Sequence, residues 1–256
     1  MKLVWCAIQV CLVCRWLCAE KPVAHWQFDE GSGTVCADSS GNGNQGALRN
    51  GATWTAGRSG TALSLDGVND YYFAPDSASL RGNDFTLSLW FRANRTQGVQ
   101  RLLSKPAGTG SDNSYALYLH NGSLTFHTSS YSGAMQVGGF TAGFWRHVVV
   151  TKSGTTARLY LGGVEVRSAM ATANVAYSAR PVIVGAEDDN GDGRPEFFFD
   201  GTVDDVRIYN RVVSIAELQG TPPPPAVGDT VPPTVGVTAP ANGSVVSGAV
   251  ALAVAA

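Results

Sequence analysis

Charge is scarce in this sequence of 256 residues: 15% of them are Asp, Glu, Lys or Arg, and the formal net charge is −2. That balance gives no electrostatic case for a nucleic-acid partner. No Lys- or Arg-rich run points to an anionic membrane surface. Cysteine is scarce as well. Four of the five cysteines (Cys6, Cys11, Cys14 and Cys18) lie in the first nineteen residues, leaving Cys36 alone in the rest. One thiol cannot make an intrachain disulfide, so the domain must be held by its core. Cys36 follows Val35 in a strand-like patch and is read as a buried thiol. Long apolar runs are missing too. Residues 3–13 are apolar apart from Gln9, too short for a membrane span of about 20 residues. With Met1-Lys2 before this run and Ala19 ahead of Glu20-Lys21-Pro22, residues 1–19 are read as a secretory signal peptide. An uncleaved N-terminal anchor is the alternative.

The chain is rich in turn formers, with 30 Gly and 12 Pro, and 44% of it is hydrophobic. Strand candidates separated by turns recur from residue 22 to about 219. The clearest is 85–92, which puts Phe85, Leu87, Leu89 and Phe91 on one face and Thr86, Ser88, Trp90 and Arg92 on the other. Others are 23–29, 115–120, 124–128, 145–152, 156–161, 164–168, 181–185 and 202–209. Asn121-Gly122 and Gly162-Gly163 are tight-turn signals between them. No long helix is offered, only a short turn at 213–218 with Ser214 as cap and Glu217 three residues on. Many alternating strands over some 200 residues predict an all-β, two-sheet antiparallel sandwich of jellyroll type. Composition changes at Thr221. Pro222-Pro223-Pro224-Pro225 favours an extended linker over 220–232. Residues 233–256 resemble the opening of a bacterial immunoglobulin-like module and are too short to bury a core.

Three motifs carry a resemblance over residues 23–219: Asp38-Ser39-Ser40-Gly41-Asn42-Gly43-Asn44, Leu65-Asp66-Gly67-Val68-Asn69-Asp70-Tyr71, and the alternating segment that runs from Phe199-Asp200-Gly201 through Asp204-Asp205 to Arg211. Trp26-Gln27-Phe28-Asp29-Glu30-Gly31 and Phe144-Trp145-Arg146-His147-Val148-Val149-Val150 add to it. Together they resemble the bacterial laminin G-like (LamG) jellyroll domains of the concanavalin A-like lectin/glucanase superfamily. The resemblance implies a jellyroll, secretion to the exterior or cell surface, binding rather than catalysis, and frequently a structural calcium ion.

Calcium needs six to eight oxygen ligands, and two sets are candidates. Asp38 and Asn44 with Asp204 would tie the first and last strands together. Neighbouring strand residues point to opposite faces, so one of Asp204 and Asp205 needs a partner. The competing partners are Arg207, Arg211 or backbone amides. Asp188, Asn190 and Asp192 follow the front half of an EF-hand loop, but Phe199 stands where the bidentate Glu belongs, and a solvated acidic loop is the plainer reading. The Asp66–Asp70 turn is read as structural. Sugar recognition needs an exposed aromatic platform beside planar polar groups. Tyr131, Tyr72 and the Asp112-Asn113 pair are the candidates, each weighed against simple packing.

Catalysis lacks its residues. None of the six glutamates (Glu20, Glu30, Glu165, Glu187, Glu196, Glu217) falls in the E-x-D-x-x-E spacing of the superfamily's retaining glucanases. No H-E-x-x-H or G-x-S-x-G occurs. His120 and His127 flank the Asn121-Gly122 turn and are placed to approach each other, but two histidines do not make a zinc site. The expectation is a secreted, non-catalytic module that binds a glycan or an extracellular protein. Its alternatives are an accessory module of a secreted enzyme and a purely structural or protein-binding role.

Overall fold

The computed structural model describes residues 21–220 except 110, 111, 130 and 189. The leader at 1–19, most of the linker and the immunoglobulin-like segment at 233–256 lie outside the described residues. Two antiparallel sheets make up the domain. The first runs β14 (Val164–Met170), β13 (Thr156–Leu161), β12 (Arg146–Ser153), β7 (Phe85–Ala93), β16 (Asp200–Tyr209), β5 (Thr61–Asp66) and β4 (Thr53–Ala56), with β1 (Ala24–Trp26) also on β16. The second runs β11 (Ser132–Val137), β10 (Ser123–Thr128), β9 (Asn113–His120), β8 (Val99–Pro106), β15 (Val182–Val184), β6 (Tyr71–Ala74), β3 (Gly46–Arg49) and β2 (Val35–Cys36). This is the two-sheet jellyroll sandwich expected from the alternation.

The core lies between the sheets, where the apolar faces of the strands meet. Phe85, Leu87, Leu89 and Phe91 of β7 pack with Val148 and Val150 of β12, Tyr115, Leu117 and Leu119 of β9, and Phe126 of β10. Each such side chain contributes about 1.5–3 kcal/mol by burial. Trp26, Phe28 and Tyr72 form an aromatic knot, with centroids 5.2 Å (Trp26–Tyr72) and 5.3 Å (Phe28–Tyr72) apart. Cys36 is fully buried, and burial holds its thiol in the protonated form. Asn121 (φ 47°) and Gly122 (φ 77°) turn β9 into β10. Helix α1 (Ile215–Gly220) begins where Glu217 N–H donates to Ser214 Oγ at 3.1 Å, the cap read from the sequence.

β16 organises the first sheet. One edge pairs with β7. The other pairs with β5 through residues 200–203 and with β1 through residues 206–208. The register against β7 shifts between Asp204 and Arg207, and Asp205 sits there with φ 49°. That bulge breaks strict alternation. Two lysines are buried inside the fold on carbonyl and carboxylate partners. Lys105 Nζ donates to Asp76 Oδ1 (2.6 Å) and Arg180 O (2.8 Å), and Lys152 Nζ to Asn83 O (2.5 Å) and Ala173 O (2.9 Å).

Candidate functional site

A cleft of about 340 Å³ opens at the rim of the first sheet, within the size range of small-ligand sites. It is lined by Trp90 near the end of β7, Arg146 and His147 at the start of β12, Leu161 at the end of β13, and Phe140 and Trp145 of the β11–β12 crossover, with three glycines. The sequence builds it simply. Alternation sends Phe91 inward and Trp90 outward. The antiparallel register places His147 opposite Trp90, and their rings stack with centroids 4.8 Å apart and planes 18° from parallel. Phe140 stacks against Phe91 at 6.1 Å and so roots the crossover in the core. Three guanidiniums rest on the same aromatic group: Arg58 over Trp90 (5.0 Å), Arg92 over Trp145 (5.2 Å) and Arg146 over Phe140 (5.9 Å).

Ser88 Oγ and His147 Nε2 share a hydrogen bond of 2.9 Å. Burial keeps the His147 ring neutral by lowering its proton affinity, with Arg207 adding to this and Asp205 opposing it. Ser88 is buried at 3% exposure, and among the described residues no carboxylate hydrogen-bonds His147 to orient it, as a triad requires. Asp205 instead accepts from His25 Nε2 (2.7 Å) and Arg207 Nε (2.9 Å). Burial would raise its carboxyl, but these partners hold it below the ordinary range.

The first calcium set is spent on the protein's own amides. Asp38 Oδ1 accepts from the N–H groups of His25 and Ser40, and Oδ2 from that of Asn44, each at 2.9 Å. Burial opposes the Asp38 charge, yet bonds from Ser40, His25 and Asn44 outweigh it and hold the carboxyl low. Asn44 is buried, with Nδ2 donating to Val23 O (2.7 Å) and Ser79 Oγ (2.9 Å). Asp204 Oδ2 accepts from the N–H groups of Arg58 (2.7 Å) and Ser59 (3.3 Å). In this structure the described partners of the two carboxylates are N–H groups of the protein itself. The first and last strands are tied by the β1–β16 ladder itself. Asp204 is thus partnered by backbone amides, and Asp205 by His25 and Arg207.

The second set differs. Asp188 is buried rather than solvated: Oδ2 accepts from Gly193 N–H at 3.3 Å, while Oδ1 has no protein partner. Glu187 beside it is fully buried and ion-paired to Arg101, which anchors the acidic loop to the second sheet. Asn190 and Asp192 are exposed, and Asp192 Oδ1 caps Arg194 N–H at 2.9 Å. Among the described residues no group of three or more His, Cys, Asp or Glu is placed to hold a metal.

The sugar-platform candidates separate. Tyr131 is 56% exposed in the β10–β11 turn, its ring centroid 4.6 Å from that of His127. Tyr72 is a correction: it is fully buried in the aromatic knot and presents no face to a ligand. Asn113 is fully buried with both amide atoms lacking a protein partner. Asp112 is half-buried, and its carbonyl closes the β8–β9 turn on Ala107 and Gly108 N–H. His120 and His127 do not meet either. His120 pairs with Ser123 at the turn, and His127 with Ala116 at the far end of the hairpin. The Asp66 turn is structural as read, with Oδ1 accepting from Val68 N–H at 2.8 Å. The cleft residues Trp90, Phe140 and Trp145 were not singled out by sequence reasoning. The usable signal was Trp90, a large aromatic on the polar face of the clearest strand.

No helix among the described residues is long and apolar enough to cross a membrane. Solved structures share the fold. The binding domain of Paraclostridial Mosquitocidal Protein 1 is 19% identical with a TM-score of 0.62, over 78% of this chain and 51% of that one. The chain thus spans about half the length of that domain. Domain 4 of AbnA, a GH43 extracellular arabinanase from Geobacillus stearothermophilus in complex with arabinotriose, is 19% identical with a TM-score of 0.61, over 77% of this chain and 96% of that one. The binding domain of botulinum neurotoxin DC in complex with SialylT is 9% identical with a TM-score of 0.57, over 78% and 50%. No curated protein matches the chain. The Laminin_G_3 model, described as concanavalin A-like lectin/glucanases superfamily, matches residues 66–219, and the chain belongs to that family.

Proposed function

We propose that this domain is a non-catalytic carbohydrate-binding module of a larger extracellular protein, and that the sugar docks in the rim cleft. The cleft itself carries the reading: an aromatic surface of Trp90, Phe140 and Trp145 beside polar Arg146 and His147 is what stacking on a sugar ring and bonding its hydroxyls require. The bound arabinotriose on AbnA domain 4 supports a glycan partner. That domain's place within an arabinanase supports the accessory-module version, in which the catalytic residues belong to another domain. Calcium in this reading is a structural ligand of the Asp188, Asn190 and Asp192 turn, where Asp188 Oδ1 is buried without a partner.

A glycan array on the whole chain, followed by titration calorimetry, tests the reading. Trp145→Ala removes the platform while leaving the sheet ladders intact, and should weaken the best ligand by about 2 kcal/mol, roughly thirtyfold in Kd. Unchanged affinity in this variant would move the site away from the cleft.

A further inference from the structure

Arg146, which lines the cleft, and Arg58 and Arg92, which lie over two of its aromatic rings, are free of carboxylates in a protein that pairs many of its other arginines. Arg81 pairs with Asp76, Arg101 with Glu187, Arg158 with Glu165 and Arg211 with Glu217. Arg58, Arg92 and Arg146 form no ion pair among the described residues, and no Asp or Glu lines the cleft. Each lies over an aromatic ring instead, and Arg146 also lies 5.8 Å from the centroid of Phe144, which is 61% exposed. Arg146 stands opposite Phe91 across the β12–β7 ladder and shares its face, while Arg92, the next residue along β7, leaves on the face of Trp90.

A guanidinium stacked on a ring is fixed in plane and already partly stripped of water, while its N–H edges stay available. Those edges match the planar, two-oxygen acceptor of a carboxylate or the oxygens of a sulfate ester. Neutral sugars need no such set, because their hydroxyls are served by neutral donors and acceptors. Building on the glycan-binding reading, we infer that the cleft selects acidic glycans: the sugar ring packs on Trp145, and its carboxylate or sulfate is held by Arg146, with Arg92 on Trp145 and Arg58 on Trp90 adding positive charge nearby.

The test uses the whole chain and an array that presents each of a panel of sugar backbones in neutral, uronic and sulfated form. Titration of the best-bound backbone in all three forms follows, with inorganic sulfate as competitor. The acidic forms should bind more tightly. Arg146→Gln should lower acidic-form affinity about tenfold more than it lowers neutral-form affinity, whereas Trp145→Ala weakens every form by a similar factor. Equal affinity for neutral and acidic forms overturns the acidic selectivity and leaves the glycan-binding reading standing. Binding to no form of any backbone overturns both. Inorganic sulfate that competes as strongly as the acidic glycan reduces the cleft to a simple anion site and also overturns the inference.

Discussion

Replacing Asp204 by asparagine should stabilise the protein at pH 8, and clearly less so at pH 5. Asp204 is 2% exposed. Burial raises its carboxyl from 3.8 to about 7, the N–H bonds from Arg58 and Ser59 offset only part of this, and the nearby charges of Asp205 and Asp29 add to it. In the unfolded chain the group ionises near ~3.9. Between these two values the folded protein keeps a proton that the unfolded chain has released, so stability falls as pH rises through the window. The window is about three pH units wide, which at ~1.36 kcal/mol per unit sets a ceiling of about 4 kcal/mol. Asparagine carries no charge to bury, and its amide oxygen can serve the same two N–H donors.

His127 pulls the other way. Burial and the charge of Arg101 lower its imidazole to about 4, so its contribution is intact above ~6.5 and is lost as pH falls toward 4. The wild-type profile therefore mixes opposing slopes, and the difference between wild type and Asp204→Asn isolates one of them. Urea unfolding of both proteins at pH 5, 6, 7 and 8 should give a difference that shifts in favour of the variant by about 2–3 kcal/mol between pH 5 and pH 8. A difference that stays constant across this range, or a variant less stable at pH 8, would refute the reasoning and make Asp204 an ordinary ionised clamp.

Two further outcomes concern packing and metal. Gly46→Ala should destabilise the domain by about 2–3 kcal/mol, because a Cβ there would lie 2.3 Å from the Phe73 carbonyl oxygen and 2.5 Å from the Tyr72 ring; urea unfolding checks this, and a change below ~0.5 kcal/mol would mean the β3–β6 ladder gives way easily. Calcium should raise the thermal midpoint over that in EDTA by binding the native state; Asp188→Asn should abolish the rise and Asp38→Asn should preserve it, while equal midpoints in calcium and EDTA would remove calcium from the functional reading.

The sequence showed the faces of the strands better than it showed the strands' neighbours. Phe85 to Phe91 alternate so regularly that the core face of β7 could be read directly, and the Asn121-Gly122 and Gly162-Gly163 turns fixed two hairpins. β8 escaped because its buried polar residues, Gln100, Arg101, Ser104 and Lys105, do not look like a central strand until Asp76, Glu187 and Arg180 are brought to them. β4 is short and exposed, and β11 is Gly- and Ser-containing, so neither had a pattern to find. The Asp204-Asp205 pair was correctly marked as needing partners. Its solution depended on a bulge that period-two reasoning does not contain, and on the amides of Arg58 and Ser59, some 145 residues away.

The same limit explains why the cleft was not legible while the family was. Family motifs lie in turns and strand ends whose side chains bond their own local backbone, as Asp38 and Asp66 do, so short sequence windows carry them. The cleft is made across strands: Trp90 meets His147 through the β7–β12 register and Arg58 through the β4–β5 turn. That turn is held by Asp204, so the buried carboxylate and the aromatic site are joined by one short segment. Loosening the clamp need not disturb the sheet, since β16 keeps its ladders with β5, β7 and β1 on either side of the bulge. It would release the turn that carries Arg58 over Trp90. The Asp204 variant should therefore change the environment of Trp90 only if the Arg58–Ser59 amides lose their acceptor. Indole fluorescence that is unchanged in a stabilised Asp204→Asn protein would show that the amide oxygen has kept both bonds.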